Sequence, residues 1–136
     1  MTDTRTITDI DVLDFMRTLD GEATNPHSAT GANCIYTEND GTPSCLVGVV
    51  LDHFNLPRPE WDTKLNSQAA STLLFGGTVY MGPNVPSEHF DAAPEYAALT
   101  DGAKQLLIQA QQYADDGVEW GYVVDAAAVD LGLVDA

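Results

Sequence analysis

The sequence predicts a mostly α-helical α+β fold: one compact helical domain in which a short β-hairpin or strand precedes a buried central helix. Three observations lead there. First, Cys45-Leu46-Val47-Gly48-Val49-Val50-Leu51 is apolar almost all round, and a helix with that pattern is packed on several sides. Second, Val12 to Leu19 and Ala103 to Ala114 repeat apolar residues at helical spacing. Third, clusters of Gly, Pro, Asn and Asp separate these runs. The 136 residues are a one-domain length, spanning 1–136, and a chain of that size buries roughly two-thirds of its unfolded surface.

Residues 1–6 read as frayed. Thr8-Asp9-Ile10-Asp11 reads as a helix start, with Thr8 as N-cap and an acid three residues on. Val12, Leu13, Met16 and Leu19 form its apolar stripe, which Phe15 widens. Gly21 is expected as a left-handed cap, and residues 21–31 as a polar loop. Asn33 to Thr37 alternates weakly, as a short strand does. Glu38-Asn39-Asp40-Gly41 is a turn, because Asn, Asp and Gly tolerate positive φ. Pro43 cannot donate to a ladder, so any hairpin here is brief.

Ser44 is the expected N-cap of the central helix, with Gly48 letting another backbone come close. A strand is the alternative for Cys45 to Val50, since Val and Gly are weak helix formers. Asn55-Leu56-Pro57-Arg58-Pro59 ends the element. Trp61 is expected to anchor on the core, and Tyr80, Tyr113 and Trp120 to lie in or near it. A short helix is expected over Ser67 to Leu74, stopped at Gly76-Gly77. Thr78 to Met81 reads as strand or extended loop. Residues 82–94 form the longest irregular stretch, the segment on which a lid or binding loop would fall if the chain has one. Thr100 caps the clearest helix, which ends at Asp115-Asp116-Gly117. A last helix follows through Val123, Val124, Ala127 and Ala128, and the two form a helical hairpin.

Charge decides what the surface meets. There are 21 acids against 5 bases, a net charge of −16. Such a surface repels phosphates, so neither direct nucleic-acid binding nor an anionic membrane is expected. No apolar run is long enough to span a bilayer, and Met1 to Asp11 lacks the apolar core of a signal peptide. These features predict a cytoplasmic protein, with Cys34 and Cys45 as thiols in a reducing compartment.

The chemistry-bearing residues are sparse. Cys45 follows the expected cap, where a helix N-terminus lowers a thiol pKa. It is the one catalytic candidate, against the competing reading of a small core residue. His53 lies eight residues on, about 12 Å along the axis, so a base for Cys45 would have to be His27 or His89. No cofactor motif is present, and no spacing of His, Cys or acids suits a metal.

The pattern Cys34-x-Tyr36, Asp40-Gly41, Pro43-Ser44-Cys45-Leu46-Val47-Gly48 resembles small uncharacterised proteins of actinobacteria and their phages. The likeness extends to Leu99-Thr100 through Trp120-Gly121 and covers about half the chain. Val49 stands where such relatives carry a polar residue or His. The resemblance implies a shared core and a phage-related origin, and it transfers no activity and no catalytic residue.

The expected function is therefore non-enzymatic: an acidic protein, phage-encoded if the resemblance holds, acting in a host cytoplasm on a basic protein partner. One alternative is a polyanion mimic that occupies a DNA-binding groove, as an anti-defence protein would. The others are a Cys-dependent enzyme centred on Cys45, and a structural or self-associating protein.

Overall fold

The computed structural model describes residues 5–26, 35–80 and 82–134. Among these, five α-helices and one two-stranded sheet follow in the order α1 (Asp9–Met16), α2 (Leu46–His53), α3 (Ala70–Phe75), β1 (Gly77–Val79), β2 (Glu88–Phe90), α4 (Asp101–Asp115) and α5 (Trp120–Asp130). Short 3-10 turns lie at Lys64–Ser67 and Pro94–Ala98. The mostly helical α+β class is the one the sequence predicts.

The starts of α1, α2 and α4 follow from side-chain chemistry, whereas α3 and α5 begin without a side-chain cap. Thr8 Oγ1 accepts from Asp11 N at 3.2 Å, and the Asp11 carboxylate accepts from Thr8 N at 2.9 Å. This reciprocal capping box satisfies two donors that a helix start leaves open. Thr100 Oγ1 accepts from Ala103 N at 3.1 Å. Each such cap stabilises by about 1 kcal/mol. Ile7 bridges to Leu99 in parallel, with Ile7 N on Ala98 O and Thr100 N on Ile7 O. That pair ties the start of α1 to the start of α4.

The central helix starts one residue later than expected, with Cys45 rather than Ser44 as N-cap. Cys45 Sγ accepts from Gly48 N at 3.4 Å. Ser44 is drawn backwards instead. Its N donates to Tyr36 O, and its hydroxyl donates to Glu38 Oε1 at 2.6 Å, across a single Thr37–Pro43 bridge. The strand expected before α2 is thus reduced to that bridge among the described residues; Asn33 and Cys34 lie outside them. Asn25 Oδ1 completes the start of α2 by accepting from Leu46 N at 3.1 Å and from Trp120 Nε1 at 3.0 Å.

Leu46, Val47, Gly48, Val50 and Leu51 are buried, while Val49 is half-buried and Asp52 and His53 face out. The longest helix, α4, is the one that packs against α1, α2, α3 and α5. The reason is reach: eight residues span about 12 Å, and fifteen span about 22 Å. The apolar rod is buried as expected, but the hub is its amphipathic neighbour. The α4–α5 hairpin forms as the sequence predicts, with Gly117 at φ +82 just past α4.

Several expectations give way. Gly21 is not left-handed. It lies against Gly121, with an added Cβ at 3.4 Å from Gly121 Cα, and Gly121 N donates to Gly21 O at 2.9 Å. Its lack of a side chain serves a backbone crossing, not a cap. The expected 67–74 helix is α3, displaced to 70–75, because Gln68 and Ala69 are extended and Asn66 is drawn into the core. The supposed irregular stretch 82–94 contains β2, paired antiparallel with β1 as Gly77↔Phe90, Thr78↔His89 and Val79↔Glu88. Three-residue strands carry too few positions for alternation to show. Trp61 is 42% exposed and Tyr80 73% exposed, so neither is a core anchor.

Candidate binding cleft

The cleft begins with how α2 ends. Asn55 takes φ +55, Leu56 N donates to Leu51 O at 2.8 Å, and Asn55 N donates to Asp52 O at 3.1 Å. This is the left-handed helix stop in which Asn stands in for Gly. It turns the chain sharply, and the flanking prolines send Pro57-Arg58-Pro59 out extended. That segment crosses in front of the Glu38–Thr42 turn, held open by Gly41 at φ +90.

Arg58 clasps the two walls together. One guanidinium nitrogen donates to Thr37 Oγ1 at 3.2 Å. The other reaches Gly41 O at 3.2 Å and Asp52 Oδ1 at 3.4 Å. Its side chain is only 17% exposed. The floor is fixed from below: Tyr96 donates its hydroxyl to Pro57 O at 2.6 Å, and burial pushes its phenol well above the ordinary range.

Two adjoining hollows flank the clasp. One, about 460 Å³, is lined by Thr37, Asp52, Asn55 to Glu60, and Glu95. The other, about 370 Å³, is lined by Thr37, Glu38, Asn39, Gly41, Glu60, Trp61 and Asp62. Among the described residues, they hold between them the carboxylates of Glu38, Asp52, Glu60, Asp62 and Glu95 and one cation, Arg58. Among the described residues, the side chains of Glu60, Asp62 and Glu95 make no hydrogen bond or ion pair. Asp40 stands at the edge. Its carboxylate accepts from Thr42 Oγ1 at 2.7 Å and Thr42 N at 3.1 Å, which holds it below the usual carboxylate range and therefore charged.

Behind the cleft a buried polar network sets the position of the Thr37 wall. Asn66 Oδ1 accepts from Tyr36 N (3.1 Å) and Thr37 N (3.0 Å), and its Nδ2 donates to Thr37 O (2.9 Å) and Trp61 O (3.3 Å). Tyr36 donates its hydroxyl to Gln68 O and accepts from Gln111 Nε2, whose Oε1 receives Ala70 N. Burial pushes the Tyr36 phenol far up, so it stays neutral. Every buried polar side-chain atom among the described residues is partnered.

The residues singled out in the sequence lie elsewhere. Cys45 is 1% exposed and disulfide-bonded. The expectation of thiols is therefore wrong at Cys45, and a sulfur so bonded is no nucleophile. Cys34, the one other cysteine in the sequence, and His27 lie outside the described residues. His53 sits at the far end of α2 and stacks on Phe15, with ring centroids 3.7 Å apart. His89 is on the hairpin between Thr78 Oγ1 (3.1 Å) and Asp91 Oδ1 (3.0 Å). No three metal-ligating side chains gather among the described residues. The sequence reading missed Arg58, Glu60, Asp62 and Glu95. Its one available signal was an arginine between two prolines with acids directly after.

No helix of the described residues is long and apolar enough to cross a membrane. A scan against protein-family models and searches of curated proteins and of solved structures return no match.

Proposed function

We propose that the protein is a non-enzymatic binding protein whose Arg58 cleft receives a basic segment of a partner protein. One observation supports this most. Among the described residues, five carboxylates line two joined hollows, and the only lining cation, Arg58, holds the walls together. A lysine or arginine entering there meets net negative charge over an apolar floor of Leu56, Pro57 and Pro59. The exposed ring of Trp61 adds a face for a cation, which contributes about 0.5–1 kcal/mol at an exposed site. The overall charge of −16 steers a basic partner inward and makes the encounter salt-dependent.

A hexa-lysine peptide titrated into the protein tests the reading. Binding is expected at low salt and falls at least about ten-fold as ionic strength rises past physiological. Neutralising the cleft (Glu60→Gln with Asp62→Asn and Glu95→Gln) is expected to weaken it by a similar factor. A control set of exposed acids that do not line the cleft, at the α4–α5 connection and on α5 (Asp116→Asn, Glu119→Gln, Asp125→Asn), removes the same charge and should change affinity far less. Equal losses from both sets would assign binding to bulk charge and remove the cleft from the account.

A further inference from the structure

The end of α2 separates the cleft from a third hollow, of about 460 Å³, lined by Asp11, Asp14, Phe15, Thr18, His53 and Phe54. Its apolar wall is an aromatic cluster. Phe15 and His53 lie parallel, 10° apart, and Phe54 stands edge-on to both at 6.0 and 4.8 Å. Two carboxylates from α1 rim it. Asp11 is held by the capping box, whereas Asp14 makes no hydrogen bond or ion pair among the described residues. The carbonyl end of α2 supplies partial negative charge alongside.

The protein already seats a guanidinium at this end. Arg5 Nη1 donates to Phe54 O at 2.6 Å, on the last turn of α2. The wall is flat and aromatic, the rim is anionic, and a planar cation of the chain itself sits on the adjoining carbonyl. Guanidinium suits such a place better than ammonium, because it stacks on rings and is more weakly hydrated.

We propose that this hollow is an arginine-reading subsite, which takes an arginine side chain of the same basic partner segment that occupies the Arg58 cleft. The inference rests on the cleft reading above and adds residue selectivity to it. Asp52 lines the cleft and His53 lines the hollow, so one extended segment wrapping the end of α2 reaches both. The cleft supplies charge that any cation satisfies; the hollow distinguishes arginine from lysine.

The test compares hexa-arginine with hexa-lysine, by calorimetry at low salt, on the full chain. Hexa-arginine is expected to bind at least about three-fold tighter, the size of one exposed cation–π contact. Phe15→Leu keeps an apolar wall and removes the ring, and should bring the two peptides level while leaving hexa-lysine unchanged. Asp14→Asn, at an exposed position, should narrow the gap as well. The triple cleft variant should weaken both peptides alike. Equal binding by the two peptides, or a preference that survives both hollow variants, overturns the arginine subsite and leaves the cleft standing. Failure of both peptides to bind overturns the cleft reading, and the subsite with it. A low-salt dimer abolished by Phe15→Leu would assign the hollow to a second copy of the chain and overturn the proposal.

Discussion

Replacing Gly48 by alanine is expected to destabilise the protein by about 3 kcal/mol or more, against the sign that helix propensity alone predicts. In the middle of α2, alanine should be better than glycine by about 1 kcal/mol. Gly48, however, lies directly against the backbone of Tyr36: an added Cβ would stand 2.4 Å from Tyr36 O and 3.1 Å from its carbonyl carbon. That oxygen already accepts from Ser44 N, and the same segment is fastened through Asn66, so it has nowhere to go. Overpacking against backbone costs more than against a flexible side chain. Gly102→Ala is the matched comparison. There the new methyl meets Asp9 Oδ2 at 2.9 Å, the end of a half-buried side chain that can rotate away at the cost of its Ile10 N contact, and the change should cost far less. Urea melts of the two variants decide it. A Gly48→Ala protein as stable as the parent would mean that α2 and Tyr36 do not touch as described.

The second large effect is expected at Asn66. Asn66→Ala leaves Tyr36 N, Thr37 N, Thr37 O and Trp61 O without the amide that now serves them. Orphaning buried backbone groups costs about 1–3 kcal/mol each, less where water enters. A loss of about 3–5 kcal/mol follows, or roughly 10–20 °C in Tm for a chain of this size. The variant should also lose cleft binding before it unfolds, because Thr37 and Trp61 line the cleft and share this one side chain. A drop under 1 kcal/mol with binding intact would show that the wall holds without it.

The parts of the fold legible in the sequence were those with local causes. Thr8 with Asp11, and Thr100 before Ala103, announce helix starts through side chains a turn away. The period of α4, the rod of α2 and the role of Gly48 follow from one short window each. What stayed hidden depends on distant partners. Ser44 looks like a cap until Glu38 and Tyr36 claim it. Gln111 falls on the apolar face of α4, and the sequence does not show that Ala70 and Tyr36 use its amide or that it is 4% exposed. The cleft draws on Thr37, Arg58 and Glu95, which no single window contains, and its acids look like ordinary surface charge. Only the backbone stop at Asn55, followed by two prolines around an arginine, hinted that a segment was being aimed somewhere.

The central claim, that basic ligands enter at the Arg58 cleft and not over the acidic surface at large, is tested most directly by amide shifts in a 15N-labelled sample titrated with hexa-lysine at low salt. The account predicts the largest shifts at Glu38 to Gly41, Asp52 to Leu56, Glu60 to Asp62 with the Trp61 indole, and Glu95. Shifts spread evenly across the acidic residues, or gathered on the exposed faces of α4 and α5, would contradict it.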